Sequence, residues 1–205
     1  MYLTSVFFKM RLLFTILMLT SLWSCSSLKS LSPKEYLDWY SSTGFGWKGI
    51  DTIQDFTCAM RLFPKEADIA KCALQDCESK ETLIERLQTK DETLDFIIEF
   101  TSLKLNTGIF DVPGSTGSSR TDRIMYFSSG IKNDIKGITN TGDTLICQSV
   151  LYEPSLPQKA RILISLEDSK KSINQIMITD RAISGEIIRF YIPELSNKSI
   201  PTLKL

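Results

Sequence analysis

The feature that most constrains the fold of this chain is a period-two recurrence of apolar side chains. It first shows in Phe56, Cys58, Met60 and Leu62, and returns in Leu94, Phe96, Ile98 and Phe100. Alternation places every second side chain on one face, so each run predicts a strand with one buried side. Residues 50–63 read as a strand region that Pro64 stops, and residues 93–105 read as a long strand paired with it. Beyond residue 140 the strand signal continues in 144–152, 160–166, 173–178, 186–192 and 200–205. Pro154 and Pro157, the polar stretch 168–171, and Ser184-Gly185 punctuate these runs. Turn signals at that spacing predict a largely antiparallel sandwich or meander.

Helical signals fall between and before the strands. Ser32 is a good N-cap, Pro33 fits the first helical position, and Glu35 can close a capping box, so a short helix starts there. Its Tyr36, Leu37, Trp39 and Tyr40 are expected to dock it on the domain, and Gly44 and Gly46 to end it. Residues 64–90 are the helical part: an Ala-, Lys- and Glu-rich stretch over 65–74, then a second helix capped by Ser79 with Leu83, Ile84 and Leu87 as its stripe. Residues 120–127 read as a brief helix or strand. The predicted fold class is α+β: N-terminal strands with two or three short helices, followed by the β-sandwich or meander. One composite domain over 32–205 is expected, with a candidate subdomain boundary near 130–142.

The first 25 residues carry an address. Lys9 and Arg11 are the only charges before Cys25, and residues 12–23 are uncharged and rich in Leu, Phe, Ile and Met. A basic stretch followed by an apolar run is the layout of a secretory signal peptide. As a helix that run would rise about 18 Å. A hydrocarbon core of about 30 Å needs more, which disfavours a mature transmembrane helix. Met10 is an alternative start that leaves this reading intact.

Leu22-Trp23-Ser24-Cys25 resembles the lipobox of bacterial lipoproteins: an aliphatic residue three before the Cys, a small one just before it, then the Cys. Trp23 departs from the small residue usual at its position. The resemblance implies that Cys25 becomes a diacylglyceryl thioether and the new N-terminus. Two or more acyl chains anchor stably where one does not. Residues 1–24 are then a signal peptide and 25–31 a tether. That tether holds no acidic residue, which by analogy with surface-export signals places the protein in the cell envelope, lipid-anchored at the outer membrane and facing the periplasm.

Composition removes several function classes. Loss of residues 1–24 from the 205 leaves 181, with 22 basic and 24 acidic residues, a balance of −2. So weak a field gives nucleic acid nothing to bind. Histidine is absent. Histidine-based triads, general acid/base work and metal sites are therefore excluded. With Cys25 lipidated, Cys58, Cys72, Cys77 and Cys147 remain, an even number for an oxidising compartment. They allow three pairings, and free buried thiols are an equal alternative. Cys72 and Cys77 could close a small loop, though not across a regular helix. Cys58 and Cys147 could pair across a sheet. Gaps of 14, 5 and 70 residues do not fit a zinc site. No metal and no cofactor is expected.

No catalytic set emerges. The acids open to a two-carboxylate hydrolase are Asp143, Glu153 and the doublets Asp91/Glu92 and Glu167/Asp168. Adjacent strand residues face opposite ways, so neither doublet is itself a dyad. Glu81 and Glu85 form a like-charge pair that reads as a solvated helix face rather than a cation site. The loop around DVPGSTGSS lacks the Lys of a phosphate-binding P-loop and reads as a mobile surface loop.

Beyond the lipobox, LSPKEYLDWY, RLFPKEAD, GDTLICQSVLYEP and SGEIIRFYIPEL resemble small, uncharacterised lipoproteins of Bacteroidetes-type bacteria. That group brings no assigned activity and no functional residue. The expectation is a non-enzymatic binding or assembly component held to the membrane by its lipid, with an envelope protein as partner. A carboxylate-dependent glycan hydrolase and a small-ligand carrier are the alternatives.

Overall fold

Alternating side chains need a partner surface, and this chain supplies one by curling its sheet on itself. The computed structural model describes residues 30–42, 48–89, 93–114, 116–154, 157–167, 173–192 and 201–205. In chain order the elements are β1 (Ser30–Leu31), α1 (Pro33–Ser42), β2 (Lys48–Ile53), β3 (Phe56–Leu62), α2 (Lys65–Leu74), α3 (Lys80–Gln88) and β4 (Thr93–Ser102). They continue with α4 (Arg120–Ser128), β5 (Ile135–Thr139), β6 (Thr144–Pro154), β7 (Lys159–Glu167), β8 (Ile173–Thr179), β9 (Ile187–Tyr191) and β10 (Thr202–Leu203). Short 3-10 turns at Ile109–Asp111 and Gly130–Asp134 flank α4.

Eight strands form one antiparallel sheet in the order β2-β3-β4-β7-β6-β5-β8-β9. Its outermost strands, β2 and β9, come against each other. Gln54 Nε2 in the β2–β3 turn donates to Glu186 Oε1 before β9 at 3.4 Å. The sheet is thus nearly barrel-like rather than two stacked layers, and α+β is its class. β4 from the helix-bearing half pairs with β7 from the β-only half along nine residue pairs.

Side chains fill the interior. Phe56, Cys58, Met60 and Leu62 from β3 meet Phe96, Ile98 and Phe100 from β4 and Ala160, Ile162, Ile164 and Leu166 from β7, all buried. An eight-stranded barrel is just wide enough to be filled in this way. One end is closed by α4, whose Phe127 packs edge-to-face on Phe100 at 4.8 Å and on Phe110 at 5.4 Å. The other end meets α1 and α2. Tyr40 donates its hydroxyl to the Leu62 carbonyl at 3.1 Å, and Tyr36, Ala67 and Ala70 are buried there. α1 therefore docks through its aromatics, as its sequence predicts.

Two local readings differ from the sequence expectation. Residues 50–63 are not one strand but a hairpin, turned at Gln54 with φ +49°. No Asn-Gly or Asp-Gly pair marks this turn, so the break is not legible from turn chemistry. The tether expected through residue 31 stops earlier: Ser30–Leu31 pairs in parallel with Thr202–Leu203, and Lys204 N donates to Leu31 O at 2.8 Å.

The loop read as mobile is pinned instead. Val112 is buried, Thr116 Oγ1 donates to Ala182 O at 2.8 Å, and Arg123 donates to the carbonyls of Phe110 and Val112. Ser119 N and Oγ both donate to Asp122 Oδ2, so the capping box of α4 consumes the groups a phosphate would need.

Candidate functional site

The outward face of β3, β4 and β7 is where this fold leaves chemistry on its surface. Alternation that buries Cys58 and Met60 turns Ala59 and Arg61 outward on β3, Ile97 and Glu99 on β4, and Arg161 on β7. Register then aligns them. Ala59 pairs with Glu99 and Glu99 with Arg161, which pairs onward with Glu153; Arg61 pairs with Ile97. Together with Ser41 at the end of α1 they line a half-open groove of about 300 Å³. Ala59 and Ile97 give it an apolar floor, and the charged side chains give it walls.

Its electrostatics are uneven. Glu99 receives Lys159 Nζ at 2.9 Å and an Arg161 guanidinium nitrogen at 3.2 Å. Burial would raise the Glu99 carboxyl, but these hydrogen bonds outweigh it and hold the group below its ordinary value. The other face of the Arg161 guanidinium reaches Glu153 at 3.8 Å. Arg161 Nε is buried and has no hydrogen-bond partner among the described residues. Arg61 has no carboxylate partner among the described residues. Its guanidinium carbon stands 4.9 Å over the Tyr40 ring, a cation–π contact of about 0.5–1 kcal/mol at such a site. Burial raises the Tyr40 hydroxyl more than Arg61 and Arg161 lower it, so Tyr40 remains a proton donor to Leu62 O. Of the two guanidiniums in the lining, Arg161 is engaged by Glu99 and Glu153, and Arg61 is the one without a carboxylate partner among the described residues. Such a groove can hold an anionic group, with the apolar floor taking whatever carries it.

The residues singled out from sequence lie elsewhere. Cys25, Asp91, Glu92 and Asp168 fall outside the described residues. Asp143 accepts from Thr141 Oγ1 at 2.7 Å inside the β5–β6 turn. Glu167 is exposed at the end of β7. Glu153 alone is drawn toward the groove, through Arg161. Glu81 and Glu85 are exposed on α3, and no group of three acidic or cysteine side chains able to hold a metal occurs among the described residues. Cys58, Cys72, Cys77 and Cys147 are unbridged in this structure. Pairing of Cys58 with Cys147 is ruled out by register. Cys58 aligns with Phe100 and Ala160, whereas Cys147 aligns with Leu166, six residues along β7. That offset is about 20 Å at strand rise, far beyond disulfide reach. Burial raises both thiols, Cys147 to about 11, so neither is a nucleophile at neutral pH.

Three buried charges elsewhere serve the fold. Asp180 accepts from the backbone of Ala182, Ile183 and Ser184 and from the Ser184 hydroxyl. Asp134 accepts from Tyr126 and pairs with Arg181. Arg123 clamps the 110–112 carbonyls.

Sequence reasoning missed Arg61, Glu99 and Arg161. The available signal was parity: each stands at an outward position of a strand whose neighbours are apolar. No helix among the described residues is long and apolar enough to cross a membrane. No protein-family model, no curated protein and no solved structure matches this chain.

Proposed function

We propose that this chain is a lipid-anchored envelope protein whose barrel-like domain is a non-enzymatic binding component, holding an acidic segment of an envelope protein in the Arg61–Arg161 groove. The observation that carries the reading is the Arg61 guanidinium beside an apolar floor, without a carboxylate partner among the described residues. Support for the anchor comes from Leu22-Trp23-Ser24-Cys25 and the basic-then-apolar segment before it. The alternatives draw less support. A glycan hydrolase needs a general acid with a raised pKa, and Glu99, the groove's carboxylate, is held low by two cations. A carrier needs interior space, and this interior is filled by Phe56, Phe96, Phe100 and their neighbours.

The test has two arms. In Cys25→Ser the precursor is expected to stay unlipidated and unanchored; normal lipid labelling of that variant overturns the anchor. A photo-crosslinker at Ala59, activated in intact envelopes, is expected to trap one protein through an acidic peptide, and Arg61→Ala to abolish the adduct. An adduct unchanged by Arg61→Ala, or none at all, overturns the groove reading.

A further inference from the structure

We propose that Cys72 and Cys77 are a modification site: the turn that ends α2 sets the two thiols side by side, ready to close as a disulfide by exchange with a small disulfide oxidant. The inference is independent of the groove.

On a continuous helix, residues five apart point away from each other. This helix does not continue. It stops at Leu74, Gln75 is its C-cap, and Asp76 takes the left-handed conformation at φ +50°. Cys77 N then donates to Cys72 O at 3.2 Å, and Gln75 N to Cys72 O at 3.1 Å. A bond from the second residue past the cap back to the third-last helical carbonyl is the Schellman arrangement. That arrangement brings together the side chains of those two positions, most often as an apolar contact. Here both positions are cysteine. The Cys77 thiol donates to Gln75 Oε1 at 3.8 Å, and burial first, then the neighbouring Cys77 thiol, raises Cys72.

The surroundings fix the roles. Cys72 is buried beside Ile69 and Leu83, while Cys77 is exposed. Across the same turn Arg86 pairs with Asp68 at 2.7 Å and with Glu78 at 2.8 Å, holding α2 and α3 together without the crosslink. Cys77 is the thiol an oxidant meets first. As thiolate it attacks one sulfur of oxidised glutathione, forming a mixed disulfide and releasing one glutathione thiolate. Cys72, on deprotonation, attacks the Cys77 sulfur and releases the second. Two cysteine thiols are oxidised, one glutathione disulfide is reduced to two thiols, and the two protons end on glutathione.

The full chain, purified in detergent and reduced, is exposed to oxidised glutathione. Remaining thiols are alkylated after denaturation, and the peptides are mapped by mass spectrometry. The expected result is an intramolecular 72–77 crosslink, with Cys58 and Cys147 still alkylated. In Cys77→Ser, Cys72 should stay reduced. In Cys72→Ser, a glutathione adduct should persist on Cys77. A persistent adduct on Cys77 in the unsubstituted chain, no oxidation of either thiol, or pairing of either with Cys25, Cys58 or Cys147 would overturn the proposal.

Discussion

At the scale of single residues, Glu99 decides whether the outer face of the sheet is a site or merely a surface. It is in contact with both Lys159 and Arg161, and these bonds hold its carboxyl below the ordinary value despite the opposing effect of burial. A carboxyl depressed by folding stabilises the native state above its unfolded pKa, near 4.5. That contribution is lost as pH falls through the lower native value. Thermal melts of Glu99→Gln should therefore lie below those of the unsubstituted protein at pH 7, and the gap should close as pH falls through the lowered native value. An unchanged gap at low pH would mean that Glu99 acts through packing. None of this was legible from composition, because Arg61, Glu99 and Arg161 are far apart in sequence. Only the register of three strands joins them. Local chemistry was more readable: Glu35 accepts from Ser32 N as their spacing predicts, and Ser79 caps its helix by accepting from Thr82 N.

At the scale of elements, β6 shows why strand parity can mislead. Leu145 and Cys147 face inward, and so do Val150 and Tyr152, which pair with the inward Ile164 and Ile162. An odd series becomes an even one within a single strand. The switch is a bulge: register shifts between Cys147 and Ser149, where the Cys147 thiol donates to Ser149 O at 3.2 Å. A bulge bends its strand and increases twist, which helps this sheet curl toward closure. Residues 144–152 could be read as a strand, but the extra residue could not, since both parities offer apolar side chains and leave Ile146 and Leu151 exposed. Deleting Gln148 removes the extra residue and joins the two series into one, so Leu145, Cys147, Val150 and Tyr152 all stay inward while the bend is lost. The loss in urea denaturation should therefore stay below the roughly 3 kcal/mol that turning two large apolar side chains outward would bring, and a larger loss would show that the bend itself holds the sheet curled. Gln148→Ala, at an exposed position, should stay within about 0.5 kcal/mol and serves as the control.

At the scale of the whole molecule, Ser30–Leu31 and Thr202–Leu203 meet where the proposed anchor would pull. β1 and β10 pair, while Leu203 and Leu205 pack on the small cluster of Ile69, Cys72 and Leu83 beside α2 and α3. From Cys25 to Leu31 the chain can reach about 20 Å at most. The ten-residue α1 adds about 15 Å before Ser41 enters the groove wall. A lipid on Cys25 would thus keep the groove within about 40 Å of the bilayer surface, so its partner must be membrane-proximal. The C-terminal strand is the brace of this arrangement, since it holds the base of α1, and α1 carries the Tyr40 that stands against Arg61. Removing residues 201–205 should free β1 and loosen α1 while sparing the β4–β7 ladder. Hydrogen exchange should show lost protection for amides such as Tyr36 N, bonded to Ser32 O, with Ile98 and Ile162 amides unchanged. The Ala59 crosslink should weaken in the same variant, because Tyr40 no longer fixes the Arg61 guanidinium. Uniform loss of protection would instead make the C-terminal strand part of the global fold, and an intact crosslink would show that Arg61 needs no help from α1.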